Sequence, residues 1–440
     1  FARNAVAAGA VAVVGETPAP EGLASKWIQV SDVKAARLEV AQMFYKNPFA
    51  KLCCHAVTGT NGKTTSAFLM NAMLESAGHK VALLGTIMNK IGDSAVPATL
   101  TTPGLLDLFA FADRAVKAGC TDLVMETSSH SLHQGRVAGI RFRSGLFSNL
   151  TQDHLDYHKT MDAYFEAKKL LFTRYLAEDG VAVVNVDDAH GEKLYKELAC
   201  KKVAVSRLGK EFAFVKPQGA VKNTEDGLEF TLPMIAKEPF ETPLCGDFNV
   251  DNVLLVLAWA NAVGVSELAM RAALATVRVP GRFEKVWNKN GKHVIVDYAH
   301  TPDALENVLK TLRDVAPERK LICLFGCGGD RDRTKRPEMG KIGVSYADLA
   351  IITSDNPRTE DPMAIIADIL AGVEGTETPY LVEENRRKAI RLAMQQARKD
   401  DIIVLAGKGH ENYQLLGKEK THLDEREEVA SALCEMKESR

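Results

Sequence analysis

The chain has 440 residues, and at about 150 residues per domain this length predicts about three domains. Hydrophobic residues make up 46% of the sequence and charged residues 25%, which is typical of a folded globular protein and excludes an intrinsically disordered one. The 55 Lys and Arg residues nearly balance the 57 Asp and Glu residues, so the net charge of -2 gives no overall attraction to nucleic acid or to a membrane.

The cysteines and the apolar runs indicate a protein of the reducing cytoplasm that does not insert into a membrane. The eight Cys residues have no regular spacing, so we expect no disulfide framework. The longest apolar run, residues 253–260, is far shorter than the roughly 20 residues of a membrane-spanning helix. The chain starts at Phe1 inside what reads as a helix-then-strand unit, and we expect that the natural N-terminus is missing.

Short β-branched runs alternate with helical stretches along the chain, which is the pattern of an α/β protein. Helices are predicted at 64–77 and at 302–312, the second with Thr301 as its N-cap. Residues 210–243 alternate apolar and polar positions and predict a small antiparallel sheet. The other predicted strands are 52–57, 81–84, 123–125, 145–147, 181–185, 294–296, 321–325, 350–353 and 402–405.

Two boundaries divide this series of elements. One falls near residues 47–48, just before the first central strand, and the other near residues 279–281, before a new strand–helix series. We therefore predict the remnant of an N-terminal domain at 1–48, a central domain at 49–280 and a C-terminal α/β domain at 281–440.

The sequence Gly-Thr-Asn-Gly-Lys-Thr-Thr at residues 59–65 lies between a predicted strand and an amphipathic helix. Its glycines allow backbone N–H groups to approach phosphate oxygens, and the helix N-terminus adds a favourable dipole. Lys63 would neutralise the β- and γ-phosphates, and the Thr64 hydroxyl would bind Mg²⁺. The alternative is a simple strand–helix turn. The predicted ATP-binding residues of this loop are Gly59, Thr60, Asn61, Gly62, Lys63, Thr64 and Thr65.

Polar clusters follow two further central strands. Glu126 ends an apolar strand, where α/β sheets place metal-binding carboxylates, although it could equally cap a helix. The loop after it, residues 127–136, is polar and is either a substrate loop or a merely solvated one. His154 and His158 are four residues apart and could share a helix face as zinc ligands. We favour a single imidazole on magnesium beside Glu126, with a capped helix start as the alternative.

Four polar loops of the C-terminal domain follow apolar strands, at 297–303, 326–332, 354–361 and 407–411. In an open parallel sheet such loops share one edge, where ligands bind, although any one of them could be a simple turn. Arg331 and Arg358 are suited to carboxylates, and Asp355, Asn356 and Glu411 to an ammonium group. A zwitterionic amino acid fits this set. Together with an ATP loop, it indicates a ligase that phosphorylates a carboxylate, whose phosphate an amine then displaces.

These motifs occur in the order found in the Mur ligases, and the chain resembles that family from residue 52 to its end. The motifs are residues 59–65, Glu-Thr-Ser-Ser-His at 126–130, residues 149–158, Gly-Asp-Phe-Asn-Val-Asp-Asn at 246–252, Pro-Gly-Arg-Phe-Glu at 280–284 and Asp-Tyr-Ala-His-Thr-Pro-Asp at 297–303. The resemblance implies a truncated N-terminal UDP-binding α/β domain, a central P-loop ATPase domain with a parallel sheet, and a C-terminal Rossmann-like α/β domain that binds the amino acid.

The resemblance also implies the reaction, which adds the third residue to the peptidoglycan stem peptide through an acyl phosphate. Mg²⁺ would be bound by Thr64, Glu126, His154 and a carbamylated Lys168, with Lys63 on the phosphates. From the residues alone Lys168 is an ordinary helix lysine, and Lys169 is its competitor. The implied UDP-MurNAc-dipeptide residues are Thr101, Thr102, Ser128, Gln134 and Arg136, and the nucleotide-side residues are Asn249, Arg282 and Asp297.

The run Asp355-Asn356-Pro357-Arg358 resembles the signature of family members that use meso-diaminopimelate. This amino acid carries a second carboxylate that Arg358 can pair with, whereas lysine offers only an ammonium group. Arg331, Gly407 and Glu411 complete the implied pocket. The alternatives are an L-lysine-adding relative, a folylpolyglutamate synthetase and a non-catalytic ligase-like subunit. We expect a monomer that acts in cell-wall precursor synthesis on small-molecule substrates only.

Overall fold

The computed structural model describes residues 1–289 and 292–438. The N-terminal segment is a small α/β unit in which two short strands pair in parallel. Its second helix starts at Asp32, whose carboxylate accepts hydrogen bonds from the N–H groups of Lys34 and Ala35. The elements are α1 (Ala2–Ala7), β1 (Val13–Gly15), β2 (Trp27–Gln29) and α2 (Val33–Tyr45), with 3₁₀ turns at Ala24–Lys26 and Pro48–Lys51.

The central region is built on an eight-stranded sheet with the order β10-β9-β8-β3-β7-β4-β5-β6. Six strands are parallel and carry buried apolar residues on both faces, whereas β5 and β6 add an antiparallel edge. The strands are β3 (Cys53–Thr58), β4 (Val81–Leu84), β5 (Met88–Ile91), β6 (Ser94–Pro97), β7 (Asp122–Glu126), β8 (Phe142–Phe147), β9 (Leu176–Asn185) and β10 (Lys201–Val205).

Helices cover both faces of this sheet and form a hydrophobic core on each. The longest, α9, is buried over most of its length and packs the indole of Trp259 against the strands. The helices are α3 (Lys63–Ser76), α4 (Leu105–Lys117), α5 (Ser129–His133), α6 (Leu155–His158), α7 (Met161–Leu170), α8 (Ala189–Glu197), α9 (Asp247–Val263) and α10 (Glu267–Thr276), and a π-helical turn spans Leu171–Tyr175.

The predicted antiparallel excursion is confirmed as a three-stranded sheet. It consists of β11 (Gln218–Thr224), β12 (Gly227–Thr231) and β13 (Phe240–Thr242), and both of its pairings are antiparallel. Phe230 and Phe240 stack between its strands, so alternate apolar residues face the core and the remainder face solvent.

The C-terminal region contains a six-stranded sheet with the order β14-β15-β19-β16-β17-β18, parallel except for β14, and a terminal hairpin. Its strands are β14 (Glu284–Lys289), β15 (Lys292–Asp297), β16 (Leu321–Phe325), β17 (Leu349–Ile352), β18 (Tyr380–Val382), β19 (Ile402–Ala406), β20 (Tyr413–Leu416) and β21 (Glu419–His422). Its helices are α11 (Pro302–Val315), α12 (Lys335–Tyr346), α13 (Pro362–Leu370), α14 (Arg386–Gln396) and α15 (Glu425–Glu438).

The α/β fold class and the nine predicted strands are confirmed, with differences mainly at strand ends. The sequence analysis missed the antiparallel edges β5, β6 and β14, because an edge strand lacks the continuous apolar run of a central one. No helix within residues 1–289 and 292–438 is long and apolar enough to cross a membrane.

Candidate active site

The phosphate loop follows β3 and is shaped by two glycines in left-handed conformations. Gly59 has φ +151° and Gly62 has φ +84°. A Cβ on Gly59 would stand 1.9 Å from Ser148 Oγ, and one on Gly62 would stand 2.2 Å from Asn252 Oδ1. Only glycine fits at either position, so the backbone of the loop is free to approach a ligand.

Asn149, from the loop after β8, and Asp303, from the first turn of α11, hold the phosphate loop in place. The N–H of Thr60 donates to Asn149 O, and the N–H of Asn61 donates to Asn149 Oδ1, both at 2.9 Å. Asn61 Nδ2 donates at 2.6 Å to Asp303 Oδ2 at the start of α11. This hydrogen bond joins the loop to the C-terminal region. Thr65 is buried in the first turn of α3.

Two lysine amines converge on one carbonyl of this loop. Lys63 Nζ lies 2.9 Å from Gly59 O and also donates to Thr60 O, and Lys168 Nζ lies 2.7 Å from the same Gly59 O. Burial lowers the pKa of Lys63, and burial together with the charge of Lys63 lowers the pKa of Lys168 well below its usual value. In the described part of the chain neither amine has a carboxylate partner within ion-pair distance.

Glu126 is a fully buried carboxylate at the end of β7. It accepts hydrogen bonds from Thr64 Oγ1 at 3.0 Å, from Thr86 N–H at 2.8 Å and from Thr86 Oγ1 at 2.9 Å. No Lys or Arg nitrogen of residues 1–289 and 292–438 forms an ion pair with it. The oxygens of Glu126 and Thr64 are hard donors, the kind of ligand that suits Mg²⁺.

Thr86 was missed in the sequence analysis. It follows β4, which is the neighbour of β7, so the rule that polar residues after parallel strands share one edge could have found it. The position before it, Gly85, packs closely against Glu126, because a Cβ there would stand 2.5 Å from Glu126 Oε1.

His154 and His158 do not share a helix face, so the hypothesis of a zinc-binding pair on one helix is wrong. His154 precedes α6 with φ +55°, and its ring lies near those of His130 (4.9 Å) and Tyr164 (5.9 Å). His158 is buried, with Nε2 at 2.9 Å from Ser129 Oγ. Burial lowers the pKa of His154 to about 4, so its imidazole is neutral near pH 7 and has a lone pair for a metal.

The five residues implied for the muramoyl-dipeptide lie together beside Glu126. Thr101 Oγ1 is 3.1 Å from Thr86 Oγ1, and Thr102 Oγ1 donates at 2.8 Å to Glu126 O. The remaining three extend the network: Ser128 N–H donates to Thr102 Oγ1, Arg136 Nη1 donates to Thr102 O, and Arg136 Nε donates to Gln134 Oε1. The network forms one polar surface next to the phosphate loop.

Of the three nucleotide-side residues, Arg282 reaches the phosphate loop across the junction of the regions, and Asp297 lies close to Arg282. Arg282 Nη2 is 3.5 Å from Thr64 Oγ1, its guanidinium lies 4.8 Å from the centre of the Tyr298 ring, and its buried Nε has no hydrogen-bond partner among the described residues. Burial raises the pKa of Asp297 to about 6 against the opposing charge of Arg282. Asn249 lies behind the loop, where its Oδ1 accepts from Asn252 at 3.3 Å.

The loops after β17 and β19 meet around a lysine that the sequence analysis missed. Lys408 is fully buried, and its Nζ donates to Glu411 Oε2 at 2.6 Å and to Asn356 Oδ1 at 2.9 Å. Asn356 Nδ2 donates in turn to Glu411 Oε2. Gly407 approaches Asp355 closely, because a Cβ there would stand 2.6 Å from Asp355 Oδ2. The lysine thus fixes two of the residues expected to receive an ammonium group.

Arg331 and Arg358 lie on either side of Gly328. A Cβ at this glycine would stand 2.9 Å from Arg358 Nη1 and 3.8 Å from Arg331 Cγ. Arg358 donates at 2.7 Å to the carbonyl of Gly329, and Arg331 donates at 3.1 Å to that of Asp330. Neither has a carboxylate partner within ion-pair distance in the described residues. The backbone of Pro357 packs against Gly329, because a Cβ on that glycine would stand 1.9 Å from Pro357 O.

The loop after β19 links the cluster around Lys408 to Arg282, which lies next to the phosphate loop. Gly407 and Glu411 lie in the cluster around Lys408, and between them His410 packs its ring 4.9 Å from that of Tyr298, which contacts Arg282.

Two family comparisons match most of the chain. The sequence profile of the Mur ligase middle domain matches residues 57–260, and the profile described as the Mur ligase, glutamate ligase domain matches residues 281–409. Among curated relatives, a UDP-N-acetylmuramoyl-L-alanyl-D-glutamate–2,6-diaminopimelate ligase from Geobacter metallireducens is 46% identical, covering 97% of this chain and 87% of the relative. The enzyme of that name from Clostridium tetani is also 46% identical, covering 93% and 83%.

Solved structures give the same result. A structure of a UDP-N-acetylmuramoyl-L-alanyl-D-glutamate–2,6-diaminopimelate ligase is 36% identical, covers 99% of this chain and 89% of its own, and superposes with a TM-score of 0.69. The folylpolyglutamate synthase of Mycobacterium tuberculosis complexed with ADP reaches a TM-score of 0.67 at 19% identity, covering 86% and 92%. At that identity the second likeness shows a shared fold alone.

Proposed function

This chain belongs to the Mur ligase family, and from that membership we propose that it adds meso-diaminopimelate to UDP-N-acetylmuramoyl-L-alanyl-D-glutamate at the expense of ATP. The observation that carries the choice of amino acid is the pair Arg331 and Arg358, which both lie next to Gly328 and have no carboxylate partner among the described residues. The product is a peptidoglycan precursor, and we expect the reaction in the cytoplasm.

The phosphate loop is the proposed ATP site. The backbone around Gly59 and Gly62 would surround the phosphates, while Lys63 would leave Gly59 O and neutralise their charge. Thr64, Glu126 and His154 would hold Mg²⁺, which supplies charge neutralisation on the phosphate oxygens when bound. Arg282 and Asp297 would contact the nucleotide from the C-terminal side, and Asn249 would support the loop through Asn252.

The polar surface beside Glu126 is the proposed dipeptide site, formed by Thr101, Thr102, Ser128, Gln134 and Arg136. Here the γ-carboxylate oxygen of D-glutamate would attack the γ-phosphorus of ATP, and ADP would leave. The amine of diaminopimelate would then attack the acyl carbon of the acyl phosphate. The C–O bond to phosphate breaks, the nitrogen loses a proton, and the products are an amide and inorganic phosphate.

The C-terminal pocket would orient the incoming amino acid. Arg331 and Arg358 would pair with its distal carboxylate, and Asp355, Asn356 and Glu411 would receive its ammonium group. The close approach at Gly407 and the ring of Pro357 would shape the wall of the pocket. L-Lysine lacks the distal carboxylate, so it would leave the two guanidinium groups without an acceptor.

Lys168 is proposed to act as a carbamate. Its amine is buried, has a strongly lowered pKa and is therefore available in the neutral form that attacks CO₂. The new N–C bond forms, one proton leaves to solvent, and the neutral amine becomes an anionic carbamate. A carbamate beside Lys63 would pair with that ammonium group and could hold a second Mg²⁺, whereas a free ammonium could do neither.

Phosphate release from ATP tests this function most directly. The enzyme is incubated with UDP-N-acetylmuramoyl-L-alanyl-D-glutamate, ATP and Mg²⁺, and either meso-diaminopimelate or L-lysine is added. We expect release with diaminopimelate and formation of the tripeptide product. Faster release with L-lysine would identify the lysine-adding alternative, and release with neither would support the non-catalytic one.

A further inference from the structure

A second group of ligating side chains lies at the other end of the central sheet. Cys53 and His55 are on β3, and Asp122 is on β7, opposite Cys53 in the parallel register. Alternate residues of a strand face the same side, so all three side chains share one face. Cys53 Sγ, one ring nitrogen of His55 and one Asp122 carboxylate oxygen lie within 4.8 Å of one another.

This cluster is separate from the candidate active site. β3 begins at Cys53, and the phosphate loop starts after its last residue, Thr58. At about 3.3 Å of strand per residue, Cys53 lies roughly 20 Å and His55 roughly 13 Å before the first residue of the loop. The proposed ligation reaction uses none of its side chains.

The imidazole of His55 is oriented as a metal ligand would be. It is 1% exposed, and its Nδ1 lies 2.8 Å from Ser144 Oγ, which also accepts a hydrogen bond from Trp259 Nε1 at 2.7 Å. Its Nε2 points towards Asp122 Oδ1 at 3.5 Å and has no hydrogen-bond partner in the part of the chain that the structure describes. A hydroxyl on one ring nitrogen, and a second ring nitrogen that faces another potential ligand, are typical of a metal-bound histidine.

The surrounding charges are compatible with a cation. Asp122 is 3% exposed and is oriented by His79 Nδ1 at 2.7 Å and by Thr121 Oγ1 at 2.6 Å. The nearest strand cation, Arg143, is paired with Asp179, which offsets its charge. Cys53 is solvent-accessible, so an ion can reach the cluster from solution.

We propose that Cys53, His55 and Asp122 bind one Zn²⁺ ion, with Cys53 as thiolate and water in the fourth position. A soft sulfur, an imidazole nitrogen and a carboxylate oxygen together favour Zn²⁺ over Mg²⁺, which prefers oxygen ligands alone. The ion would tie β3 to β7 at their amino ends. The carboxyl ends of the same two strands carry the phosphate loop and Glu126, so the site would stiffen the framework of the candidate active site.

Cobalt titration tests the proposal, because Co²⁺ adopts the coordination of Zn²⁺ and a thiolate ligand gives it an intense charge-transfer absorption. The protein is titrated with Co²⁺ in excess Mg²⁺, which fills oxygen-only sites. We expect a thiolate-to-cobalt band that saturates at one equivalent and disappears when Zn²⁺ is added. Cys53→Ser should lose the band, while Cys434→Ser, which removes another exposed thiol, should keep it.

Affinity and direct ligand counting complete the test. Zn²⁺ should bind Cys53→Ser at least about tenfold more weakly than the wild-type protein. X-ray absorption of the Zn²⁺-loaded wild-type protein should show one sulfur at about 2.3 Å, and this measurement needs no variant. A shell of nitrogen and oxygen alone, or a cobalt band that survives in Cys53→Ser, would overturn the proposal.

Discussion

The candidate site has two halves, one around the phosphate loop and one in the C-terminal region, and they differ in whether their buried charged side chains have ion-pair partners. In the C-terminal half the buried lysine and arginine side chains are paired within the protein: for example, Arg386 lies 2.7 Å from Glu425, and Lys408 lies 2.6 Å from Glu411. Around the phosphate loop, Lys63, Lys168 and Glu126 have no ion-pair partner among the described residues.

This difference indicates what each half does. An unpaired buried charge is costly, so a protein retains one where a ligand or a modification supplies the missing partner. ATP phosphates, Mg²⁺ and a carbamate would provide the partners around the loop. The internal pairs of the C-terminal half instead hold its loops rigid, while Arg331 and Arg358 have no carboxylate partner among the described residues and donate only to backbone carbonyls there.

Lys168→Ala, in the half around the phosphate loop, should cause the largest loss of activity. Without an anion at this position the charge of Lys63 and the metal would be uncompensated, and we expect kcat to fall about 10³-fold, or about 4 kcal/mol, while ATP still binds. Kinetics with and without bicarbonate measure this, and bicarbonate should not restore activity. Lys169→Ala is the matched control, because Lys169 already pairs with Glu197 at 2.7 Å. Equal losses in both variants would refute the role of Lys168.

Lys408→Met should lower the stability of the protein by disrupting the C-terminal half of the site. Removing the fully buried ammonium group leaves the partly buried Glu411 without its cation, and we expect the free energy of unfolding to fall by about 3 kcal/mol. Denaturant unfolding followed by circular dichroism measures it. Lys418→Met, on the exposed terminal hairpin, should change stability by less than about 0.5 kcal/mol. The double variant Lys408→Met/Glu411→Gln should recover part of the loss, and its failure to do so would argue against the pair as the cause.

Arg358→Ala should affect the binding of the amino acid but not the binding of ATP, and so distinguish the two halves kinetically. Losing a charged hydrogen bond to the distal carboxylate should raise the KM for diaminopimelate about 30-fold, or about 2 kcal/mol, and leave the KM for ATP unchanged. Steady-state kinetics in each substrate test this. Arg333→Ala is the control, because Arg333 is exposed and pairs with Asp368 instead. An unaltered KM for diaminopimelate would remove Arg358 from the pocket.

Asp297→Asn should give the smallest effect, at the junction of the halves. The pKa of Asp297 is about 6 in the folded protein, above its usual value, because of burial. The folded state therefore holds this proton more tightly than the unfolded state, and stability falls as pH rises from about 4 to 6, then levels off. Between pH 5 and pH 7 the wild-type protein should lose about 1 kcal/mol relative to Asp297→Asn. Denaturation curves that give the same difference in unfolding free energy between the two proteins at pH 5 and at pH 7 would contradict this.

Much of the candidate site followed from the order of residues along the chain. Each parallel strand ends at the same edge of its sheet, so the residues after 58, 126, 297, 352 and 406 had to meet at such an edge once the strands were identified. The same rule reaches Thr86, which was overlooked only because a single threonine carries little signal. The helix over residues 161–170 was not informative in this way, because without the family resemblance Lys168 is one of two adjacent lysines.

The sequence by itself determined the α/β class, the phosphate loop and the polar loops at the strand ends, because hydrophobic periodicity and glycine spacing are local properties. Only the tertiary structure decided which charges are paired. Lys168 reaches Gly59 across 109 residues of sequence, and Asp122 reaches Cys53 and His55 across a strand pairing. Whether a buried charge has a partner depends on distances that packing sets between distant segments, and no local pattern encodes them.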